Sequence, residues 1–413
     1  MRETTFTPPE SGTKLTMVDG RIVPTDEPII PYIVGDGIGA DITPVMLFVV
    51  DAAVARVYAG KRKIHWWQLP AGQVAADEFG KSLPTETVEA IKEYRVAIKG
   101  PLTTPVGKGI RSLNVELRQS LDLYACVRPV RWYPGVPSPV KRAEDLDIVI
   151  FRENMEDLYM GIEFEAQSEG AHKVIDLVNE LRVGHPPISG DLSIGLKPFS
   201  KYGTERIARG AIDYAIAKGL PSITIVHKGN IMKYTEGAFR QWAYDFYKRE
   251  YRDAVVTEKE MKAGASAEGK IIVKDQITDA MFHELLLHPE EHSIIVTSNL
   301  NGDYLSDAAA AQVGGLGFAP GANFAEDKAI FEATHGTAPS LAGKNKANPG
   351  SIILSACMML DYIGWPEAAE AIQKAISSTV LNGKVTFDLA MSLPEATELG
   401  TSEFGDAIVE NLE

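Results

Sequence analysis

Apolar positions along this chain follow two periods that alternate from end to end. Short runs rich in β-branched residues predict strands at Ile29–Val34, Val96–Ile98, Ile148–Phe151, Ile194–Leu196, Ile223–Val226, Ile271–Val273 and Ile294–Val296. Most of these runs lead into helical spacing. After the first, Ile42, Val45, Met46, Val49, Val50, Val54 and Val57 share one helical face, with Pro44 in the first turn, where a missing N–H costs least. Alternation of this kind predicts an α/β fold whose largely parallel strands are covered on both faces. Arg182–Pro187 and Met261–Lys270 carry neither period and read as loops or insertions. No repeat and no Pro/Gly/Ser-rich linker divides the chain, so any domain division requires the chain to cross over and back.

Composition narrows the picture. The 413 residues are 45% hydrophobic and 23% charged, an ordinary globular mixture whose length favours two or three domains. A formal net charge of −15 argues against nucleic-acid and anionic-membrane partners, which need a basic face. It leaves room for an anionic substrate held by local arginines. Cys126 and Cys357 are too few for a disulfide framework and suit a reducing compartment. The N-terminal stretch lacks the apolar core of a signal peptide, and runs such as 45–50 fall short of the ~20 residues a membrane span needs. A soluble, cytoplasmic protein is expected.

Four constellations carry chemistry. Gly35-Asp36-Gly37-Ile38-Gly39-Ala40 lies between a strand and a helix, as a dinucleotide-binding glycine loop does. Asp36 would set a negative charge beside a pyrophosphate, and Trp66-Trp67-Gln68 supplies no acid for a ribose. A tight strand-to-helix turn is the better reading, and the usual Rossmann arrangement is not expected. Arg111, Arg118, Arg128 and Arg152 form an arginine set in which Arg128 and Arg152 interrupt apolar, strand-like runs, where an unpaired charge is expensive. Arginine grips carboxylates in bidentate fashion, so the set implies a ligand with more than one carboxylate. Asp303 and Asp307, four apart on a helical pattern, repel each other by about 0.2–0.5 kcal/mol. A bound Mg²⁺ or Mn²⁺ would reverse that penalty, and Asp279 adds a third acid; a solvated acidic edge fits equally well. Lys228, at the end of a strand, and Tyr159 are candidate proton-transfer groups, though each type is more often structural.

The segments YIVGDGIGADITP, YRVAIKGPLTTPVGKGIRSLNVELRQ, VIFRENMEDLYMGIE, VHKGNIMKYTEGAF, NLNGDYLSDAAAAQVGG, FEATHGTAPSLAGKNKANPGS and SEFGDAIVEN span residue 30 to the C-terminus. Together they resemble the homodimeric bacterial isocitrate dehydrogenases of the isocitrate/isopropylmalate (β-decarboxylating) dehydrogenase family. The resemblance implies an α/β fold of that family's own type, with a large domain at 1–123 and 314–413. It also implies a small domain at 124–156 and 200–313, and a dimer clasp at 157–199. In the family pattern Ser112, Asn114, Arg118, Arg128 and Arg152 bind isocitrate, while Asp303 and Asp307 hold the metal with Asp279 of a second subunit. Tyr159 and the second subunit's Lys228 move protons. Thr103, Glu332, His335, Gly336, Thr337, Ala338, Pro339, Ser340, Leu341 and Asn348 are the matching cofactor positions. Ser112 and Asn114 suit a γ-carboxylate rather than the alkyl group of isopropylmalate. A non-catalytic regulatory subunit would have lost some of Lys228, Tyr159, Asp303 and Asp307, all of which are present. Where NADP-using relatives carry cations and phenols for the 2′-phosphate, this chain has Ser340, Leu341, Phe387, Met391 and His288. On that count NAD is the expected cofactor and NADP the alternative.

Overall fold

The computed structural model describes residues 6–18, 20–103 and 112–413; Arg111 of the arginine set lies outside them. Eleven strands form one continuous mixed sheet. From one edge it runs through Val255–Thr257, Ile271–Ile277, Ser222–His227, Ile294–Thr297, Asp147–Glu153 and Ala125–Arg131. It continues through Pro320–Phe324, Ala329–Ala333, Val96–Lys99 and Ile29–Ile33 to His65–Gln68. Both flanks are parallel, as the apolar runs predict. The centre is antiparallel: Ala125–Arg131 pairs with Asp147–Glu153 and with Pro320–Phe324, which in turn pairs with Ala329–Ala333. There the chain crosses between the two halves of the sheet, and strand order set by such crossings leaves no local trace in the sequence.

Helices cover both faces because each buries one stripe. Helix Gly39–Val57 buries Ile42, Val45, Met46, Val49, Val50 and Val54, and packs with helices Gly350–Tyr362, Pro366–Leu381 and Thr401–Glu410 around Trp365 and Phe404. On the other half, helices Lys201–Lys218 and Glu236–Glu250 bury Ile207, Ile212, Phe239 and Phe246 against the strands Ser222–His227 and Asp147–Glu153. Ser200 caps the first of these, its Oγ accepting the Gly203 N–H at 2.9 Å.

The glycine turn is built around Asp36. Its carboxylate accepts the main-chain N–H groups of Gln73 and Thr103, both at 2.8 Å, and so ties three loops together. Gly37 has φ +56°, and a Cβ there would meet the Thr337 carbonyl oxygen at 2.1 Å, so only glycine permits this approach. Residues 157–199 stand off the main sheet as a short turn, a two-residue strand pair and helix Glu169–Leu181. The strand read at Ile194–Leu196 is one partner of that pair, Ile194–Gly195. Leu177, Leu181 and Val183 are exposed there, Val183 by 86%. Among the described residues no helix is long and apolar enough to cross a membrane.

Candidate active site

A cavity of about 220 Å³ opens beside the antiparallel centre of the sheet, lined among others by Ser112, Asn114, Arg118, Arg128, Arg152, Tyr159 and Asp303. Arg152 leaves the strand Asp147–Glu153 with a side chain 1% exposed. Its Nε donates to Asn299 Oδ1 at 2.8 Å, an Nη pairs with Asp303, and the guanidinium lies 4.8 Å from the Tyr159 ring centroid. Arg128, on the neighbouring strand, donates to Ser306 Oγ at 2.6 Å and to Asp307 Oδ1 at 3.1 Å. Helix Asn299–Ala310 crosses both arginines and supplies all of these acceptors. It comes this close because residue 302 is glycine: a Cβ there would sit 2.6 Å from both Cβ and Cγ of Arg152.

Electrostatics separates the two acids. Burial by itself would lift the Asp303 carboxyl, but Arg152 and the Tyr159 hydroxyl, which donates at 2.7 Å, outweigh it and the net shift is downward. Asp307 is shifted upward by burial, with the Asp303 charge adding to it and Arg128 opposing. Two carboxylates on one helical face, one of them disfavoured as an anion, form an all-oxygen set that a hard divalent cation would relieve.

Behind the arginines lies a buried triad. Glu332 accepts from Arg118 Nη at 2.9 Å and Asn323 Nδ2 at 2.6 Å, and pairs with Lys99 Nζ at 2.6 Å. Burial would raise its pKa, yet Lys99 and Arg118 hold it well below the usual carboxylate range. Lys99 lines the cavity and was missed in the sequence, although a lysine ending the apolar run Val96–Ile98 carries the same signal as Arg128 and Arg152. Four buried polar atoms in or beside this cavity have no hydrogen-bond partner among the described residues: Asn114 Oδ1, Arg118 Nε, Arg128 Nε and His335 Nε2. Buried polar atoms left this way fit a site built for a polar ligand.

Of the predicted cofactor positions, Glu332, His335 and Gly336 line the cavity, and Glu332 does so as the acid that Lys99 and Arg118 hold. His335 and Gly336 line the cavity at the end of the strand Ala329–Ala333, and burial lowers the His335 pKa, favouring the neutral ring. The loop then turns back: the Thr337 carbonyl accepts the Ile38 N–H at 2.9 Å, Ala338 takes φ +35°, and the Leu341 N–H reaches the Ala338 carbonyl at 2.9 Å. Pro339 and Ser340 are exposed, whereas Leu341 packs on the core. Asn348 is buried between the Asp388 carboxylate, 3.0 Å away, and the Gly350 N–H. Thr103 is exposed where its N–H meets Asp36.

Lys228 and Asp279 do not join this group. They form an ion pair with each other, on side chains 31% and 68% exposed, and neither lines the cavity. Among the described residues no three metal-capable side chains come together. One chain therefore holds Asp303 and Asp307 at one place and Asp279 with Lys228 at another.

The comparisons agree with this architecture. A model of the isocitrate/isopropylmalate dehydrogenase family matches residues 29–408. A Staphylococcus epidermidis protein named as an NADP isocitrate dehydrogenase is 53% identical, over 97% of this chain and 100% of its own length. A Colwellia maris protein named as an NADP isocitrate dehydrogenase is 51% identical over 98% of each chain. The crystal structure of isocitrate dehydrogenase from Methylococcus capsulatus superposes with a TM-score of 0.77 at 36% identity, covering 93% of this chain and 99% of that one. The names of the relatives overturn the expectation of NAD, which rested on Ser340, Leu341, Phe387, Met391 and His288. Lys344 and Lys346 are two exposed cations on the same loop as Ser340. By its sequence and by its fold, this chain belongs to the isocitrate/isopropylmalate dehydrogenase family.

Proposed function

We propose that the protein oxidises isocitrate to 2-oxoglutarate and CO₂ with reduction of NADP, in a metal-dependent site shared between two copies of the chain. The observation that carries this reading is the division of the site. Arginines, Tyr159, Asp303 and Asp307 meet at one cavity, while Lys228 and Asp279 pair elsewhere on the same chain. Exposed apolar residues flank both pieces: Tyr304 beside Asp303, and Ile231 and Tyr234 just after Lys228, Tyr234 being 94% exposed. A two-fold dimer would cover these residues and bring Lys228 and Asp279 of each copy to the other's cavity. Segment 157–199, with its exposed Leu181 and Val183, would be the clasp between copies, set against a large domain at 1–123 and 314–413 and a small one at 124–156 and 200–313.

In this reading Ser112, Asn114, Arg118, Arg128 and Arg152 orient the three carboxylates, a positioning effect that supplies a large share of rate enhancement. The Nε donors of Arg118 and Arg128, which have no partner among the described residues, are left for those carboxylates. Mg²⁺ or Mn²⁺ on Asp303, Asp307 and the second copy's Asp279 would act as a Lewis acid toward the C2 hydroxyl. Lys228 of the second copy takes the hydroxyl proton as hydride leaves C2. After loss of the β-carboxylate as CO₂, Tyr159 returns a proton to C3; its pKa, raised by burial and by the bond to Asp303, keeps the phenol protonated for that task. Lys344 and Lys346 supply charge for a 2′-phosphate, where a charged hydrogen bond is worth about 1.5–3 kcal/mol.

Steady-state rates with isocitrate and Mg²⁺, using NADP and NAD side by side and 3-isopropylmalate as the rival substrate, test the reading. One such bond predicts a kcat/KM for NADP at least ~10-fold above NAD. Turnover with isopropylmalate alone, or none with isocitrate, would sink it.

A further inference from the structure

Lys197 lies outside the cavity lining, in the loop that leaves the strand Ile194–Gly195, with a side chain only 16% exposed. Its ammonium is shared by two buried acids: it pairs with Asp157, 1% exposed, and with Glu236 at 3.1 Å, 0% exposed. A buried carboxylate persists only when its oxygens are satisfied, and these two are satisfied by the catalytic elements. Asp157 accepts the N–H of Leu158 at 2.7 Å and of Leu300 at 3.0 Å, the latter in the first turn of the helix that carries Asp303 and Asp307. Its own backbone has φ +69°, a left-handed conformation that a non-glycine residue adopts only when its surroundings impose it. Tyr159 is two residues further along the same turn. Glu236 accepts the Lys228 N–H at 3.0 Å, the Ser298 hydroxyl at 3.0 Å and the Asn301 amide at 2.9 Å.

We propose that Lys197 is a positioning residue: by bridging Asp157 and Glu236 it fixes the turn of Tyr159, the main chain of Lys228 and the helix of Asp303 and Asp307 relative to one another. The proposal rests on the reading of isocitrate turnover given above. It extends that reading, because Tyr159 and Lys228 of one chain serve different cavities in the two-copy site. Lys197 thus couples the two cavities, and its place in the clasp segment links both to the contact between copies. Two acids and one lysine leave a single net negative charge at the hub. Without the lysine two anions face each other in the interior, and the elements they hold separate.

Lys197→Gln tests the proposal in the full-length protein with isocitrate, Mg²⁺ and NADP. Arg118, Arg128 and Arg152 are anchored on a helix and strands that Lys197 does not touch, and only the contacts of Arg128 and Arg152 to helix Asn299–Ala310 would shift, so kcat should fall by ~100-fold while KM for isocitrate moves less than about fivefold. A merely structural lysine would lower the amount of folded protein and leave kcat per folded site unchanged. Adding Asp157→Asn restores the net charge but not the bridge, and the double variant should recover to about tenfold below the wild type. A Lys197→Gln variant with kcat within threefold of wild type, or a double variant no better than the single, would overturn the proposal. Should the single variant not fold, the charge-balanced double variant decides: a tenfold lower kcat at unchanged KM supports the role, and wild-type kcat refutes it. Absence of isocitrate turnover in the wild-type protein counts against the proposed function itself, so the two failures are distinct.

Discussion

Gly302→Ala is the sharpest test of how the cavity is built. The added Cβ would lie 2.6 Å from both Cβ and Cγ of Arg152 and 3.1 Å from its Cδ, against about 3.5–4.0 Å for ordinary carbon contact. Roughly 1 Å must be found. Arg152 cannot swing away, because its side chain is 1% exposed and its head is held by Asn299 and Asp303. Helix and strand must therefore part, and Arg152, Asp303 and Tyr159 lose their common geometry. Overpacking of this kind costs about 1–3 kcal/mol, of which alanine's better helix propensity returns up to about 1. The protein should remain folded. A misplacement of about 1 Å at a reacting centre lowers rates by up to ~100-fold, so kcat/KM for isocitrate should fall between ~10- and ~100-fold at saturating metal and cofactor. Gly210→Ala is the control: on helix Lys201–Lys218 its Cβ would make only ordinary contacts of 3.7 Å or more, and activity should not change. A Gly302→Ala enzyme within threefold of wild type would show that the close approach of helix to Arg152 is not what sets the site.

Three further outcomes are expected. Ser112→Asp places a like charge beside Asn114 and Arg118, where a substrate carboxylate should bind, and should raise KM for isocitrate at least ~100-fold, checked by initial rates; a normal KM would refute the placement. Lys344→Met with Lys346→Met should raise KM for NADP at least ~10-fold and leave KM for NAD nearly unchanged, while equal effects on both would remove these lysines from the 2′-phosphate. Glu153 is 4% exposed and burial lifts its carboxyl to about 7 from 4.5, against the N–H groups of Met155 and Glu156 that it accepts. The native state then keeps a proton that the unfolded chain has released, so this group's contribution is present below pH 4.5 and lost as pH rises through about 7. That is worth about 3 kcal/mol, and Glu153→Gln should flatten the fall of the thermal midpoint between pH 5 and 8; an unchanged slope would contradict it.

Much of this architecture could be read from local pattern, for physical reasons that also mark where reading stops. Strands buried on both faces leave continuous apolar runs, which is why Ile223–Val226 and Ile294–Val296 stand out and fall inside observed strands. Arg128 and Arg152 stand out for the converse reason, a charge inside such a run, and Lys99 could have been found by the same rule. The antiparallel centre could not, because the pairing of Ala125–Arg131 with Pro320–Phe324 joins residues nearly two hundred positions apart. Lys197 sits in a short loop with no periodicity, and its two buried partners come from separate elements. The expectation of NAD rested on five single positions, and the names of the relatives overturn it. The separation of Lys228 from Asp303 is a property of the fold, and no spacing in the chain encodes it.

That separation allows one direct measurement of the central claim, that isocitrate is oxidised in cavities completed by a second copy. Lys228→Met and Tyr159→Phe proteins, each expected to be nearly inactive alone, are unfolded together, refolded and assayed with isocitrate, Mg²⁺ and NADP. If each cavity takes Tyr159 from one copy and Lys228 from the other, a mixed dimer holds one intact and one doubly defective cavity. Random pairing then restores about a quarter of wild-type activity. If both residues acted within one chain, every cavity in the mixture would remain defective, and activity no higher than the two variants measured separately would contradict the account.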